Sequence, residues 1–201
     1  FMAMIIPMTI LQETQRKAVS VKDPSSRYCT LATLEEADLS QVRMRTLVVR
    51  AITDEYCLLF VNRHSQKNLL SLGDAKVEML FFYPTLMSQF RLRGKLSVMA
   101  DDELEKHWQR KPYEAKLLDH FYARYQAQSS SLADRGSLQK GIEELKLIYP
   151  EAASVPFTND ALGLIVTANY LEIWQGLDTG IHDRRLYTLS NYIWQEEALV
   201  P

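Results

Sequence analysis

No stretch of these 201 residues reads as a membrane span, which needs about 20 consecutive, mostly apolar residues. The opening MAMIIPMTIL is apolar, yet it has no basic start, contains Pro7 and lacks a small-residue cleavage pattern, so it does not read as a secretory leader. Cysteine is scarce. Cys29 and Cys57 both sit in apolar strand-like runs without metal-ligand spacing, which argues against a metal site and for buried reduced thiols in a cytoplasmic protein. Neither sign of charge dominates: 23 Lys and Arg stand against 25 Asp and Glu, and the net charge of −2 gives no reason to expect nucleic acid or an anionic membrane as partner. An anionic ligand must therefore be held by local clusters of cations. Internal repeats and low-complexity linkers are absent, and a chain 47% hydrophobic and 24% charged is ordinary globular material, most simply one domain.

What is present is mostly strand. Tyr28–Leu34, Val42–Thr53, Tyr56–Asn62 and Lys76–Tyr83 are β-branched or aromatic runs of strand length, with Asp54-Glu55 as a tight hairpin connection between the second and third. Phe90–Met99 alternates, placing Arg91, Arg93 and Lys95 on one face and Leu92 and Leu96 on the other. Thr9–Ser20 reads as a short amphipathic helix with Thr9 as N-cap, Asp23-Pro24-Ser25-Ser26 as a break, and Ser65–Leu72 as a second short helix ending at Gly73. From Asp101 to about Ile148 the period is helical, broken at Pro112, with Asp134 or Ser137 able to cap the last helix. Leu162–Tyr170 returns to strand. The sum predicts five or six antiparallel strands around a helical insert, in a closed or partly open barrel with helices packed outside it.

The chemistry gathers in Leu171–Arg185, LEIWQGLDTGIHDRR. As a strand it puts Ile173 on one face and Glu172 and Trp174 on the other; Gln175-Gly176 and Asp178-Thr179-Gly180 read as a turn, and Ile181–Tyr187 as the returning strand. That hairpin brings Trp174 near Arg184. A flat aromatic surface beside a guanidinium suits a planar ring that carries a phosphate, for which Arg is a two-pronged donor. A hairpin with a buried Trp and a surface ion pair is the plainer alternative. Upstream, Arg43, Arg45 and Arg50 lie in one strand, with Arg43 and Arg45 on one face and Arg50 on the other unless a bulge intervenes. In NRHSQK a strand ends and a helix begins near Ser65, offering free amides to a phosphate along with the Ser65 hydroxyl and the Lys67 cation. Plain N-capping by Ser65 accounts for the same residues.

EIWQG followed by HDR resembles the C-terminal part of the pyridoxamine 5'-phosphate oxidase superfamily of flavin-binding proteins, and the upstream chain extends the resemblance. Arg45 and Arg50 of RTLVVR match an Arg and a Lys that bracket a strand, with Arg in place of Lys. Phe60, Val61, Asn62, Ser65 and Lys67, with Gln66 among them, match an aromatic-Thr/Val-Asn-x-x-Ser-x-Lys segment; Gln89 matches a Gln that opens the next strand, and Gln128-Ser129 resembles a Gln-Ser pair in the helical insert. The resemblance implies a six-stranded antiparallel split β-barrel of Greek-key topology with flanking helices, mainly β with α. It implies one such domain over residues 1–201, with the helical insert at about 101–148, and flavin mononucleotide (FMN) at the interface of a homodimer. In that reading Arg45, Ser65, Lys67 and Arg184 hold the phosphate, Gln89 bonds the ring edge, Trp174 and Gln128-Ser129 approach from the second subunit, and Arg50, Phe60, Val61 and Gln66 complete the cofactor set. The implied activity is an FMN-dependent oxidoreductase that takes a hydride from a small-molecule substrate. The departures matter too. Where the family's oxidases hold a substrate phosphate with Tyr, Arg and Ser, this chain has His107, Lys111 and Ala115, and the Arg two residues before the HDR histidine is Gly180. His107 and Lys111 remain as candidate substrate ligands, and His182 is either a flavin-proximal donor or a strand histidine bonded to Asp183. The pattern points to the branch of mostly unassigned substrate. A true pyridoxamine or pyridoxine 5'-phosphate oxidase, or a non-catalytic flavin- or haem-binding barrel, are the alternatives.

Overall fold

The structure is a computed structural model that describes residues 6–34, 41–63 and 76–201. Eight strands form one sheet: β1 Tyr28–Leu34, β2 Val42–Ile52, β3 Tyr56–Asn62, β4 Lys76–Tyr83, β5 Ser88–Val98, β6 Ala161–Gln175, β7 Asp183–Ser190 and β8 Ile193–Ala198. Their order is β3-β2-β1-β4-β5-β6-β7-β8, and β3 also pairs with β6, so the first six close into an antiparallel barrel from which β7 and β8 extend. Because β4 returns beside β1 after the β1-β2-β3 meander, the topology is a Greek key, as the resemblance implies.

The chain divides into two compact units. The first, Phe1–Leu59, Asn68–Ser97 and Leu164–Pro201, holds most of the barrel, its hairpin extension and helix α1 (Pro7–Ser20); the second, Phe60–Lys67 and Val98–Gly163, holds α2 (Asp101–Trp108), α3 (Tyr113–Arg124) and α4 (Arg135–Ile148).

Period-two burial builds the barrel. In β1, Cys29, Leu31 and Thr33 are buried while Tyr28 and Leu34 are exposed. Leu31 pairs with Met79, and Met79 with Leu92, giving a fully buried apolar row across three strands. Both thiols are free and buried, and burial pushes the Cys29 thiol up to about 12 and the Cys57 thiol upward as well. A Cβ on Gly94 would lie 2.0 Å from the carbonyl oxygen of Thr167, so β5 and β6 meet at a distance that only glycine allows. In β2 the register jumps from Val49↔Leu59 to Ala51↔Leu58, leaving Arg50 as the extra residue of a β-bulge. Val49 and Ile52 are consequently both buried although three apart, and Arg50 stays exposed.

Several local expectations are corrected. Helix α1 begins at Pro7 rather than at a Thr9 cap, because proline's fixed φ suits the first turn; the Thr9 hydroxyl donates back to the Ile6 carbonyl at 2.6 Å. The strand returning from the WQG turn starts at Asp183 rather than Ile181, after a tight turn in which the Gly180 amide donates to Leu177 and Gly180 takes φ +78°. Strand β8 follows it, beyond the expected elements. Pro112 separates α2 from α3, and Asp134 caps α4 by accepting from the Ser137 amide at 2.9 Å. The helix expected over Ser65–Leu72 lies outside the described residues.

Candidate functional site

In the first unit the β6–β7 register sets Trp174 directly across from Arg184. Leu171 and Ile173 point into the core, so Tyr170, Glu172 and Trp174 line the opposite, outer face together. The start of β5 is tied to the end of β6: the Gly176 amide donates to the Met87 carbonyl at 2.8 Å, and the Ser88 hydroxyl bonds the Gln175 side chain. Gln89 and Trp174, each of opposite parity to that Ser88–Gln175 tie, therefore share the outer face.

Carboxylates organise the cations of this face. Glu172 accepts from Arg184 Nη2 at 2.8 Å, Arg91 Nη1 at 3.1 Å and the Tyr170 hydroxyl at 3.1 Å. Glu78 accepts from Arg91 Nε at 2.7 Å and Arg93 Nε at 3.0 Å, and the Arg93 guanidinium lies 4.5 Å over the Tyr170 ring. Burial works against the Glu172 charge, but the bonds from Arg184 and Tyr170 and the charges of Arg91 and Arg184 outweigh it and hold the carboxyl below its usual value. Arg184 gives a second bond, Nη1 to the Val200 carbonyl at 3.2 Å. A guanidinium has five N–H donors, so three remain to Arg184 beyond these two bonds.

The His182 ring centroid lies 5.4 Å from that of Trp174, beside a cavity of about 260 Å³ that Met87, Leu177, Asp178 and Gly180 also line. Asp183, the alternative partner for His182, instead lies 3.4 Å from Arg185 Nε. Arg45 falls in the row of Leu31 and Met79, on the inner side of β2; it is half-buried, and burial and then Arg43 lower its pKa. Arg50, the extra residue of the bulge, is exposed on the other side of β2.

In the second unit, Phe60 meets His107 edge to face with centroids 5.7 Å apart, and Val61 and Asn62 are buried. The Lys111 ammonium is paired with the Asp119 carboxylate, their side chains only 9% and 6% exposed, and it sits 5.1 Å from the centre of the Trp108 ring. The Gln128 side-chain oxygen is buried without a partner, and the adjacent Ser129 adopts φ +66°. Ser65, Gln66 and Lys67 lie outside the described residues.

Sequence reasoning found the cations and missed the carboxylates that fix them: Glu78 and Glu172 for the arginines, and Asp119 for Lys111. The signal for Glu172 was its shared parity with Trp174. For Asp119 it was a pair of charges, Lys116 and Asp119, on the buried side of a helix beside Leu117 and Phe121.

The family model described as pyridoxamine 5'-phosphate oxidase matches residues 14–149. The chain is 29% identical over 181 residues, 90% of its length and 82% of the relative's, to the pyridoxine/pyridoxamine 5'-phosphate oxidase of Psychrobacter cryohalolentis. It is 26% identical over 195 residues to that of Escherichia coli O1:K1, covering 97% of this chain and 86% of the relative. Among solved structures it resembles PhzG from Burkholderia lata 383 in complex with tetrahydrophenazine-1-carboxylic acid, with a TM-score of 0.84 at 19% identity over 97% of this chain and 92% of that one. A pyridoxamine 5'-phosphate oxidase-related, FMN-binding protein from Nostoc punctiforme matches with a TM-score of 0.72 at 18% identity, covering 96% of both chains.

Proposed function

Because the chain belongs to the pyridoxamine 5'-phosphate oxidase family, we propose that it is an FMN-dependent oxidoreductase acting on a small-molecule substrate other than the phosphorylated vitamin. The observation that carries this reading is the register that sets Trp174 across from Arg184, with Arg184 fixed by the buried Glu172. Three features suit FMN: a flat aromatic wall, a guanidinium with donors to spare, and the orphaned oxygen of Gln128, which lacks a donor. Arg45, Ser65, Lys67 and Arg184 hold the phosphate, Gln89 bonds the ring edge through an amide that both donates and accepts, and Arg50, Phe60, Val61 and Gln66 complete the pocket. Bound there, FMN supplies the hydride chemistry that no side chain can. Trp174 and Gln128-Ser129 approach from a second subunit of a homodimer. Exposed apolar residues on β1 and β2 support that partner: Tyr28 is paired with Val48, and Val42 and Met44, on the same strand as Val48, are 61% and 66% exposed. His182, near the Trp174 ring, is placed to hold or release a proton. The protein works in the cytoplasm.

A second reading takes the relatives' names literally, with pyridoxine or pyridoxamine 5'-phosphate as substrate. Against it stand Ala115, which has no hydroxyl, Gly180, which has no guanidinium, and the engagement of Lys111 with Asp119. Flavin titration of Arg45→Ala and Arg184→Ala tests the cofactor assignment. Each loses a charge-assisted bond, about 1.5–3 kcal/mol or roughly 10- to 150-fold in FMN affinity. Unchanged affinity in both would place the phosphate elsewhere.

A further inference from the structure

The second unit buries a cluster of charged side chains. Lys111 and Asp119 form an almost fully enclosed pair, and the Lys116 ammonium, with its residue 1% exposed, donates to the Ala152 carbonyl at 2.9 Å. Burial pushes the Asp119 carboxyl above its usual value, against the pull of Lys111 and of a hydrogen bond from Asn62. Lys116, lowered by burial, is lowered further by Lys111. The carboxylate of Asp119 and the indole face of Trp108 together occupy the Lys111 cation, and withdrawing it would strand a buried carboxylate. A lysine held in this way is not available to a substrate anion.

The first unit gives an independent indication. The cavity beside Trp174 is lined by an indole, a thioether, Leu177, the Asp178 carboxylate and His182, with no Lys or Arg among its described lining residues. At Gly180, φ +78° disfavours any side chain, so a guanidinium cannot be restored there without strain. A cavity of this composition offers no Lys or Arg to a substrate phosphate from its described lining.

We propose that Asp119 is a specificity-determining residue: by sequestering Lys111 it removes the cation that would otherwise receive a substrate phosphate, so the substrate is a planar ring compound that carries none. This rests on the oxidoreductase reading above, since it presumes that position 111 belongs to the substrate side. Asp119 acts through Lys111 and is a positioning residue.

The test uses the FMN-loaded full chain and two probes, pyridoxamine 5'-phosphate and pyridoxamine, whose affinities are read from perturbation of the flavin absorbance. The wild type is expected to hold the two within roughly threefold of each other, and Asp119→Asn to gain roughly tenfold or more for the phosphorylated probe alone, as a released charged donor should give. Adding Lys111→Met to Asp119→Asn should abolish the gain. A wild-type preference of roughly 30-fold for the phosphorylated probe that Lys111→Met removes would overturn the proposal, and needs no Asp119 variant to fold. A folded, FMN-loaded Asp119→Asn with no gain would also overturn it. Failure of the wild type to bind FMN would instead sink the oxidoreductase reading, so the two failures are distinguishable.

Discussion

Replacing Glu172 by Gln should lower thermal stability by several degrees at neutral pH, and the loss should shrink in acid. The carboxylate is 6% exposed and accepts three bonds, two of them from guanidinium groups. A hydrogen bond to a charged group contributes about 1.5–3 kcal/mol, and breaking a fully buried ion pair costs about 3–5 kcal/mol. Neither upper limit applies, because Arg184 and Arg91 are 29% and 35% exposed and can draw on water, Arg91 keeps Glu78, and the Gln carbonyl can still accept one bond. The net loss is therefore about 2–3 kcal/mol, which in a domain of this size is a fall in Tm of about 4–12 °C. The sign of the pH dependence follows from the depressed carboxyl. A carboxylate held below its unfolded pKa, about 4.3 for Glu, stabilises fully above that value and loses the contribution as pH falls through the folded value. Circular dichroism melts of wild type and Glu172→Gln at pH 7 should be separated by the full amount, and the separation should shrink steadily as the pH is lowered below the ordinary Glu value. Equal melting temperatures at pH 7, or a gap that persists undiminished in acid, would refute the assignment of Glu172 as a charged keystone of this face.

Gly94→Ala should be strongly destabilising, about 3 kcal/mol or more, because the new methyl group would meet the Thr167 backbone at 2.0 Å and neither strand can yield without opening the barrel. A melting temperature within 2 °C of wild type would show that β5 and β6 are not so closely joined. Placing charges on the exposed apolar face, as in Met44→Glu with Val48→Glu, should convert a dimer into a monomer by light scattering. A wild type that is already monomeric while binding FMN tightly would remove the homodimer.

The strands from Tyr28 to Tyr83 were legible because each is a β-branched or aromatic run ended by turn residues, so local propensity and tertiary pairing agree. Strand β8 was not, since IWQEEA is exposed at nearly every position and owes its form to pairing with β7 rather than to a buried face. Trp174 and Arg184 came together as their spacing required, a two-residue periodicity being enough to place partners across a hairpin. Arg50 lies on the face that alternation gives it, but the bulge there, which lets Val49 and Ile52 both be buried, is set by how Ala51 and Leu58 pair across strands, which the sequence of one strand does not encode. The engagement of Lys111 was hidden for a similar reason. Lys111 lies in the bend after α2 while its partner Asp119 lies in the middle of α3, and no helical periodicity links the two.

The position of Glu172 along the chain has a consequence for how the protein is made. Arg91 leaves the ribosome well before Glu172, but Arg184 follows it by 12 residues. Until β7 has been synthesised, the carboxylate would enter the sheet with half of its compensating charge, and burying it then is unfavourable. Strand β6 also closes the barrel through β3. Closure is thereby coupled to arrival of the late hairpin, and a nascent chain that ends at Gly180 should remain open to protease where one that extends past Ser190 resists it.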